Sequence, residues 1–239
     1  MQVPKCGVEP AGWEVTSYNG GSGNQEGGSQ ETVTKATAKT YNFAGGTNGV
    51  VLADLAEWGM GTKDVILSPA ASTLTEKTLS NGAVLHWKGS KAGTFRFRST
   101  HDADAPLTET IVNAATALNY NGGLADGDLS SGVDLSTVDR YIEIPVDGAG
   151  TVTATVDFKG SNEATKGPFK VAFVDKDGKL LGIVASDEVT KSSENVKVTG
   201  SVTEAGSVYL VFSRNGAQKS NGSGTGGLDV KTITVTPAE

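Results

Sequence analysis

Along Thr151 to Lys159 apolar and polar residues alternate one by one, Val152, Ala154, Val156 and Phe158 against Thr151, Thr153, Thr155 and Asp157. Successive side chains of an extended chain point to opposite faces, so this run predicts a half-buried β-strand. The same period recurs at Arg140 to Val146, where Ile142, Ile144 and Val146 share a face, and at Thr94 to Ser99, where Phe95 and Phe97 oppose Arg96 and Arg98. Ala83 to Lys88 is a further β-rich run, and Phe169, Val171 and Phe173 form another apolar face. Asp177-Gly178 follows, a pair that supplies the positive backbone dihedrals of a hairpin turn, so Leu180 to Ala185 is expected to be the returning strand. Asn195 to Val202, Ser207 to Ser213 and Leu228 to Thr236 complete the set, and only Thr110 to Leu118 reads as a helix. Short strands with turn signals between them predict an all-β chain, folded as an antiparallel sandwich or barrel.

Two stretches lack this patterning. From Gly20 to about Thr37 the sequence GGSGNQEGGSQETVTKAT has almost nothing to bury, as in a flexible linker. Residues 1–37 are therefore expected to form a tail and linker, although Trp13 and Tyr18 are aromatics able to dock, and the compact domain is expected to span residues 38–239. A second glycine-rich run, Asn215 to Gly227, reads as a long loop between the last two strands.

Composition agrees and removes several functions. The chain has 32 glycines and only 20% charged residues in 239, a profile of short strands joined by tight turns. With 27 acidic against 20 basic residues the formal charge is −7, which disfavours nucleic acid and anionic membranes as partners. No stretch approaches the ~20 apolar residues needed to cross a bilayer, so membrane insertion is not expected. Cys6 is the single cysteine, which excludes an internal disulfide or a zinc cluster. It reads either as a lipid-anchored residue, with Lys5 standing where a small residue is expected, or as an unpaired residue in a tail. Nucleophile-elbow, zinc-protease, P-loop and dinucleotide-binding motifs are all missing, and no carboxylate pair is singled out for glycoside hydrolysis. His86 reads as a structural strand histidine, and His101 opens a loop with Asp102 and Asp104.

From Arg140 onward the order of elements resembles a known class. RYIEIPVDGAGTVTATV, FKVAFVDKDGKLLG, SVTEAGSVYLVFSRNG and GGLDVKTITV are similar to the non-catalytic β-sandwich modules appended to bacterial pectate lyases and other polysaccharide-degrading enzymes. The resemblance covers about 100 residues and implies a jelly-roll-like antiparallel β-sandwich, in which an opening strand, Lys39 to Phe43, pairs with the last. It also implies a secreted or cell-surface bacterial protein that binds pectin or a similar plant cell-wall polysaccharide or oligosaccharide beside a linked catalytic domain. A structural calcium ion near the junction of first and last strands belongs to the same implication, with Asp229 as its ligand. Asp126, Asp128 and Asp134 have calcium-loop spacing but lack the glutamate of an EF-hand.

Sugar recognition needs aromatic faces and planar polar groups. Trp58, Trp87, Tyr120 and Tyr209 are the aromatic candidates, with Trp87 also readable as core beside Leu85. Arg96 and Arg98 would stand about 7 Å apart on one strand face, a spacing suited to bidentate contacts with an anionic sugar. Alternatively, that face pairs with carboxylates of a neighbouring strand. Arg214 lies at a loop rim after the Tyr209 strand, where a simple turn is the other reading. The expected function is non-catalytic polysaccharide binding that targets an appended enzyme or cell surface; the alternatives are a surface adhesin or structural module binding proteins, and a small hydrolase or lyase.

Overall fold

The alternating runs fold as antiparallel strands in the computed structural model of the protein. It describes residues 33–55, 64–66, 71–89, 95–98, 106–120, 129–159, 170–184, 194–213 and 227–239, with the backbone alone at 64–66, 98, 120 and 159. Trp13, Tyr18 and Cys6 lie outside these residues.

One sheet is built from β1 (Lys39–Asn42), β2 (Asp64–Ile66), β5 (Phe95–Arg98), β6 (Leu118–Tyr120), β8 (Gly150–Lys159), β11 (Val196–Val202) and β13 (Gly227–Pro237). The second holds β3 (Ala71–Thr78), β4 (Val84–Gly89), β7 (Arg140–Val146), β9 (Lys170–Val174), β10 (Leu180–Val184) and β12 (Gly206–Ser213). Their orders are β11-β8-β13-β6-β5-β2, with β1 also on β13, and β10-β9-β12-β7-β4-β3. Every strand pair is antiparallel, so the fold is a two-sheet β-sandwich. As expected, the opening strand pairs with the last, Tyr41 opposite Ile233.

The core follows from the period of two. Val152, Ala154, Val156 and Phe158 on β8 meet Ile142, Ile144, Leu210 and Phe212 from the facing sheet, all at most 1% exposed. Phe158 and Phe212 touch edge to face, with centroids 6.3 Å apart. Each of these side chains except the small Ala154 contributes about 1.5–3 kcal/mol by leaving water. Tyr41 ties the sheets together at one end: its ring is buried and its hydroxyl donates to the Pro145 carbonyl at 2.7 Å.

A second apolar cluster lies on the outer face of the six-stranded sheet. The segment 129–138 runs across it as a strap, with Leu129 and Val138 packed over Ala172, Val174 and Val211. Two glycines let the strap approach the β9–β10 hairpin. Gly132 and Gly178 both have positive φ, and Val133 N donates to Gly178 O at 2.9 Å. Asp134, whose spacing from Asp126 and Asp128 resembles a calcium loop, caps a 3₁₀ turn, Leu135–Thr137, by accepting from Ser136 N at 2.9 Å; Asp126 and Asp128 lie outside the described residues. Ser136, through its hydroxyl first and its backbone N–H second, holds the Asp134 carboxyl below the ordinary aspartate range.

Three departures from expectation are local. The compact unit begins at Val33, because Ala36 N donates to Ala149 O and Thr37 grips Asp147. The helix is α2, Glu109–Asn113, capped by Thr108; another short one is α1, Leu52–Leu55. Leu118, expected at the end of that helix, instead opens β6, while β2 and β3 are strands that the patterning does not pick out.

Candidate functional site

Trp58 and Arg214 lie outside the described residues. Trp87 faces inward with Leu85 and is 4% exposed, so the period-two parity of β4 makes it a core residue and leaves no face for stacking on a sugar. Residue 120 sits on β6 opposite Phe95 and Leu228, and residue 98 sits on β5 opposite Asp64.

The fold does unite Arg96 and Asp229. Strand register places Arg96 opposite Asn119, Asn119 opposite Asp229, and Asp229 opposite Asp157, which makes a polar row across the outer face of the seven-stranded sheet. Asn119 Nδ2 donates to Asp229 Oδ1 at 2.5 Å. Lys231 Nζ lies 2.9 Å from Asp157 Oδ1, which also accepts from Asn195 N at 2.7 Å. Asn119, Asp157 and Asp229 are all at least 93% buried, and Asn119 Oδ1 has no hydrogen-bond partner.

Calcium takes six to eight oxygen ligands. Around Asp229 one carboxylate oxygen is held by an amide, the neighbouring Asp157 is neutralised by an ammonium, and the described residues contain no group of three acidic, histidine or cysteine side chains able to hold a metal. Among the described residues this donor set falls short of a calcium shell. It behaves instead as a buried row in which donors and cations offset two directly opposed carboxylates, a pairing that would otherwise be repulsive.

A different set of side chains gathers on the outer face of the six-stranded sheet. Register gives two neighbouring rows, Glu76–His86–Tyr141 across β3, β4 and β7, and Glu143–Tyr209 across β7 and β12. Each alternates with core residues such as Leu85, Ile142 and Leu210, which fixes the outward aim of the set. His86 Nε2 and Glu143 Oε2 are 2.7 Å apart, Ser207 Oγ donates to Glu143 Oε1 at 2.6 Å, and Glu76 stands 3.7 Å from His86 Nδ1. His86 stacks on Tyr141 with centroids 4.6 Å apart, and Tyr141 meets Tyr209 edge to face at 5.7 Å. Tyr209 is half-buried, while Tyr141 is 6% exposed. Burial, then the adjoining Tyr209, Glu143 and Glu76, push the Tyr141 hydroxyl above the ordinary phenol value. Burial and then Glu143 raise Tyr209 likewise.

The strand parity of RYIEIPV already turns Tyr141 and Glu143 outward, and an aromatic residue beside a glutamate on a solvent-facing parity was the available signal. His86 is a satisfied strand histidine, as expected from its setting, with a carboxylate facing each ring nitrogen.

No protein family and no curated protein matches this chain. Among solved structures it overlaps a Stig cyclase, FisC, from Fischerella sp. TAU in complex with a pyrrolidinylidene-indole, at 17% identity and TM-score 0.33, covering 85% of this chain and 100% of that one. An arabinose-bound family 51 α-L-arabinofuranosidase overlaps at 11% identity and TM-score 0.35, covering 87% of this chain. A Bacillus subtilis family 43 arabinoxylan arabinofuranohydrolase in complex with cellotetraose overlaps at 14% identity and TM-score 0.27, covering 83%. This chain spans 31% and 51% of those two enzymes respectively. Overlaps this shallow carry no argument about what the chain binds or does.

Proposed function

We propose that this β-sandwich is a non-catalytic carbohydrate-binding module that holds an appended enzyme or a cell surface on a polysaccharide. The observation that supports the reading is the pairing of the half-exposed Tyr209 ring with the Glu143 carboxylate directly across the strand pair. A ring face of this kind packs on the C–H surface of a sugar, and a carboxylate already oriented by His86 and Ser207 accepts its hydroxyls without further ordering.

The same geometry favours binding over cleavage. Both Glu143 oxygens are engaged, and the other carboxylate of the group, Glu76, has a side chain 73% exposed on an edge strand. Glycoside hydrolysis calls for one carboxyl kept protonated by burial opposite a second fixed partner.

Affinity electrophoresis through gels containing soluble polysaccharides tests the reading. Retardation by at least one glycan is expected, together with its loss in Tyr209→Ala and Glu143→Gln. Release of reducing ends would replace binding by hydrolysis. Absence of retardation by every glycan, with capture of a protein partner instead, would favour an adhesin.

A further inference from the structure

We propose that the ligand of the Tyr209 face is an amine-bearing polysaccharide, a polymer of amino sugars whose free amino groups are protonated. The proposal rests on the carbohydrate-binding reading and names its substrate class. It stands on the charges that converge on this face and on one hydroxyl unpartnered among the described residues, that of Tyr141, at the open edge of a largely buried ring.

The charged groups come from four elements. Glu76 on β3 and Glu143 on β7 are acidic; His86 on β4 lies between them. Lys176, from the β9–β10 turn, is held by Asp177 at 2.6 Å, and Lys88, farther along β4, is engaged by Asp139 and by the Ser136 carbonyl. The cations near the face therefore have partners of their own, and the two glutamates leave the face acidic.

Tyr141 adds the second observation. It is 94% buried, its ring is clamped between His86 and Tyr209, and its hydroxyl has no hydrogen-bond partner among the described residues although Glu143 and Glu76 bear on it. An ammonium group carries three donors and no acceptor. On this face it finds the Tyr141 oxygen and the Glu143 and Glu76 carboxylates as acceptors, with the Tyr209 ring as a cation-binding face beside them. A uronate in the same place sets a third carboxylate against two, within a chain of net charge −7. An acetylated amino sugar keeps the ring contact but loses the charge. Arg96 and Arg98, the residues suited to an anionic sugar, stand on the other sheet and do not contribute here.

The test is isothermal titration of the whole chain with four oligosaccharides of equal length: glucosamine, N-acetylglucosamine, glucose and galacturonate oligomers, in a slightly acidic buffer. The glucosamine oligomer is expected to bind roughly tenfold more tightly than its acetylated counterpart, the scale of one charge-assisted hydrogen bond. That preference should shrink as salt is raised. It should vanish in the Glu76→Gln/Glu143→Gln double variant and fall in Tyr141→Phe, which removes an oxygen that the fold does not use. Equal binding of the free and acetylated amino sugars, or a preference for galacturonate, overturns the amine proposal and leaves glycan binding standing. Binding of none of the four overturns the proposal, and the polysaccharide gels described above then decide the underlying reading separately. Retention by a lysine-rich protein in place of any glycan overturns both.

Discussion

Replacing Gly178 with alanine adds one methyl group where the fold has no space for it. The residue has φ +76, and a Cβ placed there would stand 1.8 Å from the Val133 carbonyl oxygen. The obstacle is backbone, so no change of rotamer relieves it. An L-residue in this left-handed region costs about 1–2 kcal/mol before any clash is counted. Relieving the clash means lifting the strap, which breaks the 2.9 Å bond from Val133 N to Gly178 O, worth about 1 kcal/mol net. Leu129 and Val138 are fully buried beneath it, and exposing half of one such side chain costs about 1 kcal/mol more. The sum is about 3–4 kcal/mol. Gly206→Ala is the control, because a Cβ there meets nothing within 4 Å, and its stability should stay within about 0.5 kcal/mol of the parent. Equilibrium urea unfolding of the two variants and the parent measures both values, with unchanged slopes showing that the comparison is sound. A loss for Gly178→Ala below about 1 kcal/mol, or equal to that of Gly206→Ala, would refute the reasoning.

Asp54 is 5% exposed and accepts from Val51 N, Ser80 N and Ser80 Oγ at 3.0, 2.8 and 2.7 Å, so Asp54→Ala should cost about 2–4 kcal/mol by strand three donors, with thermal unfolding as the check. Lys231→Met removes the ammonium beside a nearly buried Asp157; because the lysine is a third exposed, a loss of about 1–3 kcal/mol in urea unfolding is expected, and an unchanged midpoint would show the pair to be inert. Thr37 holds the Asp147 carboxyl below its ordinary range, through its hydroxyl first and its backbone N–H second. A depressed folded value stabilises above the unfolded aspartate range and loses that contribution as pH falls through the folded value. The gap in melting temperature between parent and Thr37→Val should therefore close in acid, and a gap that persists there would deny the linkage. Calcium followed by a chelator should leave the melting temperature unmoved, and a rise of several degrees with calcium would reveal a shell that the described residues do not supply.

Strands were legible where their two faces differ in environment. β7, β8 and β13 each bury one apolar parity completely and set mainly polar residues on the other, part of which, Tyr141, Asp157 and Asp229, is buried too; the alternation Val152, Ala154, Val156, Phe158 thus marks both the strand and its inner face. The edge strand β3 gives no such signal: all its side chains are at least partly exposed, and Leu74 is 46% exposed. β6 is three residues long and pairs on both sides, and its neighbours rather than its own pattern make it a strand. The attachment of residues 33–37, which precede the expected start at residue 38, is hidden in the sequence for a similar reason. Residues 35–37 attach through backbone bonds and the Asp147 carboxylate, and their one buried side chain is the small Ala36. Among the site residues, parity correctly set Arg96 opposite Phe95 and Phe97. The proximity of Glu143 to Tyr209, and of His86 to Tyr141, depends on the register among β4, β7 and β12, which local patterning does not specify.

Among the described residues the two outer faces of the sandwich differ in what they leave available, and the difference supports the proposed binding surface on the six-stranded sheet. On the seven-stranded sheet, threonine hydroxyls answer one another across strands, Thr40 with Thr234 at 3.3 Å and Thr153 with Thr199 at 3.0 Å. The acidic row beyond them is offset by Lys231, and the buried side-chain atom that lacks a partner among the described residues, Asn119 Oδ1, lies in a wholly buried residue. The six-stranded sheet divides its face instead. The strap of residues 129–138 covers the side formed by β9, β10 and β12, and its apolar contacts run up to Tyr141 and Tyr209. At that margin Tyr209 is half-exposed and Glu143 is fixed by two partners. The strap thus bears on the proposed recognition: by holding the two tyrosines from one side it leaves their other side as a rigid edge, so a glycan bound there would meet aromatic and carboxylate groups whose ordering cost was met in folding.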